Sequence, residues 1–196
     1  MLEMEVGDLE PKEVSKLLSS MGHDYESFGS RLQKLLLHAN TLDHWTRLAA
    51  MGRTITNPAN ETELLGELIT ALRQAAARVP SVGDQQVNEV LERVRDRMER
   101  HGASPIPVRH FDDVPTALVA VCSVGLLLQR EKAVRFPHPS YFDYLIAQHA
   151  LKNSGSSPEG VVGWLKAEQR ILAATIDHLA GRRSSGHDTS DRNGSP

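Results

Sequence analysis

The stretch GLLLQREKAVRFPHPSYFDYLIAQHALK, from Gly125 to Lys152, decides the fold that this sequence predicts. Two short apolar runs flank the polar turn REK, and that pattern is typical of a β-hairpin. A histidine, His138, follows between two prolines, and an aromatic-rich helix begins at Ser140. Because each proline fixes a backbone angle, the pattern predicts an imidazole held stiffly between a strand and a helix.

Residues 1–80 predict a small helical domain, because apolar side chains recur there at a helical spacing. The first helix is expected to have Asp8 as its N-cap, with a proline in its first turn. A second amphipathic helix is expected from Phe28 to Ala39, and a third from Leu42 to Ala49, ended by Gly52. Farther along, Asn60 and Glu63 form a plausible capping pair at the start of a longer helix.

Residues 81–152 predict a winged-helix-like domain. A helix begins after Asp84, and the proline-rich stretch SPIPVRHF has room for a short edge strand. An apolar helix follows, with Asp112 or Asp113 as its expected cap. Helix, short strand, helix and hairpin come in the order of a winged-helix module.

Beyond the winged-helix-like domain, residues 153–180 predict one additional helix. Residues 181–196 are polar and predict a disordered tail. The predicted fold class is mainly α, with a helical bundle followed by a winged-helix module that has one small β-hairpin.

The composition narrows the class of protein. The 196 residues have a formal net charge of -3, which is not the balance of a general polyanion binder. One cysteine, Cys122, excludes an internal disulfide and suits a reducing compartment. No apolar run approaches the roughly 20 residues that a membrane span requires, and the acidic N-terminus lacks signal-peptide features. We therefore expect a cytoplasmic protein without membrane association.

The sequence lacks the motifs of the common catalytic sites. It contains no G-x-S-x-G elbow, no H-E-x-x-H or H-x-x-x-H metal pair and no G-x-x-x-x-G-K-[ST] phosphate loop. Cys122 lies in an apolar helix, where a thiol is usually a packing group. We therefore expect no enzyme activity, no metal site and no cofactor bound by this chain alone.

DNA binding is the function that a winged helix most readily suggests. The helix before the hairpin, VPTALVAVCSV, has no basic or amide side chain to read a groove. The hairpin turn offers Arg130 and Lys132, which Glu131 partly balances. DNA is therefore an unlikely partner, and a free-standing winged-helix DNA-binding transcriptional regulator is kept as the alternative function. An α-helical interaction scaffold without a ligand is a third alternative.

Around His138 the sequence resembles the winged-helix region of NACHT-type STAND P-loop NTPases, which are signalling ATPases. The elements that carry the resemblance are Phe136-x-His138 and the helix start Phe142-Asp143-Tyr144-Leu145-x-Ala147. A weaker resemblance to the family's small helical domain lies upstream. There Arg31-Leu32 and Asn40 fit the family pattern, whereas Thr41 stands where the family has an adenine-contacting proline.

The resemblance implies a role for His138. In several proteins of this family the histidine of the F-x-H element contacts the β-phosphate of bound ADP. His138 would then be a nucleotide sensor, and the aromatic cluster Phe136, Phe142 and Tyr144 would support it. In the alternative structural role, His138 bonds a backbone carbonyl and caps a cluster of core side chains.

The resemblance also implies partners. ADP or ATP would be present only with a P-loop partner domain, because this chain has no phosphate loop of its own. The predicted function is that of a non-catalytic regulatory fragment, split or truncated, of a STAND/NACHT-type signalling NTPase. Its winged helix would act as nucleotide-state sensor and interdomain switch. Self-association is left open.

Overall fold

The structure, a computed structural model, describes residues 8–53, 55, 58–101 and 105–153. Helices dominate this part of the chain: α1 (Pro11–Ser20), α2 (Ser30–Leu35), α3 (Ala39–Ala50), α4 (Glu61–Ala77), α5 (Asp84–His101), α6 (Pro115–Ser123) and α7 (Pro139–Asn153). Three short strands complete it: β1 (Ile106–Pro107), β2 (Leu128–Arg130) and β3 (Ala133–Arg135). The predicted fold class, mainly α with a small hairpin, is confirmed.

The first helix shows how local capping sets a boundary. The N-cap of α1 is Glu10, whose backbone N–H lies 3.4 Å from Glu13 Oε2 in a capping box. The prediction that Asp8 caps this helix is wrong. The helix ends before Gly22, whose φ of +82° is in the left-handed region that favours glycine.

The second and third predicted helices meet earlier in the chain than expected. After α2 ends at Leu35, the backbone N–H groups of Leu37 and His38 bond to the carbonyls of Lys34 and Leu35 in a tight turn. The predicted third helix, α3, therefore begins at Ala39, which was expected to end the second. Its predicted end is confirmed, because α3 stops at Ala50 before Gly52.

The capping pair predicted for α4 is confirmed. The side chain of Asn60 accepts a hydrogen bond from the Glu63 N–H at 2.9 Å. The Glu63 carboxylate in turn accepts from the backbone N–H of Ala59. Two N–H groups that the helix start leaves without partners are satisfied in this way.

The caps predicted for α6 are wrong. This helix begins at Pro115 after Val114, with no side-chain cap. Asp113 instead accepts two hydrogen bonds of 2.6 Å from the guanidinium of Arg93 in α5, and this pairing lowers the pKa of its carboxyl group. A bidentate, charge-assisted pair is stronger than a capping bond, so the nearby arginine decides the position of this side chain. Asp112, the other expected cap, lies in the turn before α6 and does not cap it.

The predicted hairpin and edge strand form one antiparallel sheet in the order β1-β3-β2. Val134 in the central strand pairs with Ile106 on one side and Gln129 on the other. Val134 and Ile106 are buried, so one face of the sheet packs on the core. The hairpin turn contains Glu131 at a positive φ of 53°.

The buried core has members from both sides of residue 80, among them Leu18, Leu48, Leu68, Val90, Leu118 and Leu127. The chain divides into two compact units, Met1–Leu145 and Ile146–Pro196. The predicted boundary between residues 80 and 81 stays a prediction. Apart from Asn153, the predicted helix over 153–180 and the tail over 181–196 lie outside the described residues. Among those described, no helix is long and apolar enough to cross a membrane.

Candidate functional site

His138 lies directly after the sheet and immediately before the first residue of α7. Its Nδ1 accepts a hydrogen bond of 3.2 Å from the backbone N–H of Ser140, and the Ser140 hydroxyl lies 2.9 Å from the same atom. The carbonyl of His138 accepts from the Tyr141 N–H at 3.2 Å. His138 therefore provides the hydrogen-bond acceptors for two N–H groups at the start of α7, and these bonds fix the orientation of its ring.

The bond from Ser140 also fixes which ring nitrogen carries the proton. Because Nδ1 accepts an N–H, a neutral His138 has its proton on Nε2. That Nε2 lies 3.4 Å from Nδ2 of Asn40, a residue 98 positions away in the sequence. Both atoms are donors in this state. The two groups form a hydrogen bond with each other if the Asn40 amide turns its Oδ1 toward His138. Alternatively, an acceptor on another molecule can accept hydrogen bonds from both groups.

Asn40 belongs to the first turn of α3, which is open at its N-terminus. His38, the N-cap, makes no side-chain capping bond, so the first N–H groups of the helix lack intrahelical partners. A carboxylate is already attracted to this end, since His38 Nδ1 lies 2.7 Å from Asp8 Oδ1. The start of α3 thus offers backbone donors and the positive end of a helix dipole beside His138.

One arginine ties the elements of the site together. Arg47 in α3 donates to the hydroxyl of Tyr141 at 2.6 Å and to the carbonyl of Gly125 at 3.0 Å. Gly125 has a φ of +77°, and a Cβ there would lie 2.8 Å from the Arg47 guanidinium. α3, the turn before β2 and the start of α7 are therefore held by a single side chain. Sequence reasoning missed Arg47, since no local pattern marks it.

A second histidine lies behind the first. His44 in α3 is 2% exposed, and its Nδ1 has no hydrogen-bond partner among the described residues. Its ring lies edge-on to that of Tyr141, with the centroids 6.0 Å apart. Burial lowers the pKa of His44, and the nearby Arg47 and His138 lower it further, against the opposing effect of two carboxylates. This imidazole is therefore neutral in the folded chain near neutral pH.

The aromatic residues predicted to support His138 separate into two places. The rings of Phe136 and Phe142 stack with their centroids 6.4 Å apart. Tyr144 lies instead against Gly66 of α4, so close that a Cβ at Gly66 would be 2.7 Å from the tyrosine hydroxyl. The buried aromatic side chain that contacts the site is Tyr141, which the sequence analysis did not include in the cluster.

Thr41 occupies the position at which the resembling family has its adenine-contacting proline. Its side chain is fully buried, and its Oγ1 has no hydrogen-bond partner among the described residues. A side chain in that position packs in the core and does not reach a ligand at the surface. Asn40, the residue before it, is the exposed one.

The described residues contain no group of three or more histidines, cysteines or carboxylates placed to hold a metal ion. Burial raises the pKa of the Cys122 thiol to about 11, so it is a poor nucleophile near neutral pH. No protein-family model, curated protein or solved structure matches the chain. The account of the site therefore depends on its residues and their geometry.

Proposed function

We propose that this chain is a non-catalytic regulatory module of a STAND/NACHT-type signalling NTPase. In this proposal its winged-helix-like part senses the nucleotide bound by a P-loop partner domain and acts as an interdomain switch. The observation that carries the proposal is the contact of Asn40 with His138, at 3.4 Å. These residues come from the two segments that resemble the family.

The chemistry at this contact suits a phosphate oxygen. His138 presents a single N–H, on Nε2, because Nδ1 is occupied by Ser140. The Asn40 amide and the first N–H groups of α3 are additional donors, and helix N-termini commonly bind phosphate. Because a phosphate oxygen carries negative charge, a hydrogen bond that it accepts from the N–H of His138 is charge-assisted.

The nucleotide itself would be held mainly by the P-loop domain. The 196 residues contain no phosphate loop, and the open start of α3 alone offers too few contacts for tight binding. In the proposed ADP state, His138 reaches the terminal phosphate and links this module to the partner. Exchange of ADP for ATP breaks that contact and releases the module.

The energies set a limit on what His138 does alone. A hydrogen bond to a charged group contributes about 1.5–3 kcal/mol. Moving a two-state equilibrium from one state to the other almost completely requires about 5.5 kcal/mol. His138 therefore accounts for part of the switch, and Asn40 and the start of α3 must supply further contacts that differ between the two nucleotide states.

The proposal requires α3 and the His138 segment to move as one body. Arg47 provides the connection, because it bonds both Tyr141 and the Gly125 carbonyl from its position in α3. Tyr141 is only 1% exposed, which shields its bond to Arg47 from water. A phosphate that binds at one end of α3 would thus be sensed by the turn before the hairpin as well.

A free-standing winged-helix DNA-binding regulator is the second candidate, and the order of α5, β1, α6 and the hairpin favours it. Against it, α6 has no basic or amide side chain, and Val119 is 63% exposed on it. The salt dependence of binding to random-sequence duplex DNA separates the candidates. A steep decrease of the association constant with salt, equivalent to several phosphate contacts, would support the DNA-binding regulator.

The regulatory role is tested with the product of the gene immediately upstream of this chain, which the proposal expects to be a P-loop protein. Light scattering should show a complex of the two proteins with ADP and a weaker one with a slowly hydrolysed ATP analogue. His138→Ala should weaken the ADP complex about tenfold, the effect of losing one charge-assisted bond. His101→Ala changes an exposed histidine at the end of α5 and is the matched control. Association that ignores the nucleotide, or an upstream gene without a P-loop, would contradict the proposal.

A further inference from the structure

The outer face of the small sheet carries arginines that have no ion-pair or hydrogen-bond partner for their side chains among the described residues. Since Val134 points into the core, its neighbours along the strand point outward. Arg135 lies opposite Leu128, and Arg130 lies opposite Ala133, so both arginines are on the outer face. Residues related in this diagonal way on one face have side chains within reach of each other.

Two more cations lie beside these arginines. The carbonyl of Lys132, in the hairpin turn, accepts a hydrogen bond of 2.8 Å from the Val108 N–H, which brings Arg109 next to the turn. We call the four exposed cations together with Leu128 the hairpin face: Arg109, Arg130, Lys132, Arg135 and Leu128. Within the part of the chain that the structure describes, none of these four cations forms an ion pair or a side-chain hydrogen bond.

The surroundings of this face are electropositive although the whole chain is slightly acidic. Glu131 in the turn and Asp112 are the neighbouring carboxylates along the chain, too few to neutralise four cations. His110, the residue after Arg109, is affected by positive charges on neighbouring arginines. Its pKa is lowered by loss of hydration and then by Arg97 and Arg109. An exposed, unneutralised group of cations of this kind attracts an anionic partner.

The same surface has an open strand edge. In the sheet order β1-β3-β2, β2 has a neighbour on one side only among the described residues, and all three of its residues are exposed. An edge of this kind pairs readily with another extended segment through backbone hydrogen bonds. Leu128 is 36% exposed beside the arginines and provides an apolar contact for the same segment.

We propose that the hairpin face binds an acidic, extended segment of a partner protein, which adds as a strand to the edge of β2. Its carboxylates pair with Arg130, Arg135 and their neighbours. Because Leu128 lies on the same face as these arginines, an apolar side chain two residues from one of the carboxylates contacts Leu128. This surface is distinct from the His138 contact, and the proposal stands or falls independently of nucleotide sensing.

The observations favour a protein segment over duplex nucleic acid. The edge of a strand presents backbone N–H and C=O groups at a regular spacing. The backbone of a second strand can pair with both kinds of group, whereas a chain of phosphates cannot. The helix that precedes the hairpin, α6, has no basic or amide side chain for a groove, and no aromatic side chain on the strands is available to stack on bases. An apolar Leu128 among the cations suits a side chain better than a row of phosphates.

The proposal is tested by fluorescence anisotropy with a short labelled peptide that has glutamate and valine in turn at every second position, with threonine between them. In an extended strand the glutamates and valines then share one face. We expect saturable binding that weakens about tenfold in the double variant Arg130→Gln, Arg135→Gln, since two exposed ion pairs are lost. The matched control is Lys34→Gln, Arg78→Gln, which removes two other exposed cations and should leave the affinity unchanged. A charge-reversed variant, Arg130→Glu with Arg135→Glu, should instead bind the peptide with lysine in place of each glutamate.

Two further probes make the proposal falsifiable in both of its parts. A peptide with the same glutamates but with prolines in place of the central valines keeps the charge and cannot pair as a strand. Equal binding of this peptide would overturn strand addition. Tighter, strongly salt-dependent binding of random duplex DNA would overturn the choice of partner. Absence of binding, or equal loss in the Lys34 and Arg78 control, would overturn the proposal as a whole.

Discussion

The His138 contact and the hairpin face use polar side chains in opposite ways. At the first, Nδ1 of His138 is bonded to Ser140, and Arg47 makes two defined hydrogen bonds beside it. At the second, four exposed cations on and beside the hairpin have no side-chain partner among the described residues. The first arrangement holds a few hydrogen-bond donors in fixed directions, which suits the recognition of a phosphate at one position. The second provides a positive electrostatic potential without fixed hydrogen bonds, which suits the attraction of a flexible acidic chain.

The comparison predicts a large cost for truncating Tyr141, the buried side chain behind His138. Tyr141→Ala should lower the free energy of unfolding by about 3–5 kcal/mol, because it empties a packed site and leaves Arg47 without its hydroxyl partner. Tyr141→Phe should cost about 1 kcal/mol, the net value of a typical hydrogen bond. Urea denaturation measures both. An equal cost for the two variants would show that packing around the ring is unimportant.

Gly66 and Tyr144 should show coupling whose sign depends on the background. In the native chain Gly66→Ala should be destabilising by about 1–3 kcal/mol, because the new Cβ would collide with the tyrosine hydroxyl and ring. With Tyr144→Ala in place the same substitution should stabilise by up to about 1 kcal/mol, the helix preference of alanine over glycine. A double-mutant cycle by thermal or urea unfolding checks this. Additive effects would mean that the close approach of Tyr144 to α4 is relieved at no cost.

His44 should make stability depend on pH in the acidic range. Its folded pKa lies below the ordinary value of 6.5, so the unfolded chain binds the proton more readily. The contribution is fully present above pH 6.5 and decreases as pH falls from there toward the folded pKa. Each unit by which the pKa is lowered corresponds to about 1.4 kcal/mol.

The measurement for His44 is a comparison of unfolding free energies across that range. His44→Phe should gain stability relative to the native chain as pH falls below 6.5. His101→Gln, at an exposed position, is the matched control. Parallel curves for the native chain and His44→Phe would mean that His44 is protonated as easily in the folded chain as in the unfolded one.

The smallest effect on stability is expected at the hairpin face. Arg130→Gln with Arg135→Gln should change the free energy of unfolding by less than about 0.5 kcal/mol. Neither arginine forms an ion pair or a side-chain hydrogen bond with another described residue. The same double variant is expected to lose affinity for an acidic peptide. A substantial loss of stability would show that these arginines support the fold, and the contrast between the two regions would disappear.

Local signals in the sequence predicted the elements and missed the contacts between them. The REK turn and its apolar flanks were enough for the hairpin, and Asn60 was enough for the start of α4, because both depend on neighbouring residues. The break between α2 and α3 was expected after Ala39 and lies after Leu35, since no glycine or proline marks it. Asp113 was taken for a cap because its partner, Arg93, lies on another helix.

The candidate site shows the same division. His138 stood out from its flanking prolines and from the family resemblance, but its contact with Asn40 joins residues 98 positions apart. Arg47 has no local signature at all, because its role depends on where Tyr141 and the Gly125 carbonyl lie in the folded chain. Contacts of this kind are set by packing between helices, which no short sequence pattern encodes.

The central claim, that His138 senses a bound nucleotide, is tested most directly by the release of ADP. The measurement is the dissociation rate of a fluorescent ADP from a complex of this chain with the proposed P-loop partner, for the native chain and for His138→Ala. The account predicts release about ten times faster in the variant, the effect of losing one charge-assisted hydrogen bond. The control His101→Ala should match the native rate. Equal rates for His138→Ala and the native chain would contradict the claim and leave His138 with its structural role at the start of α7.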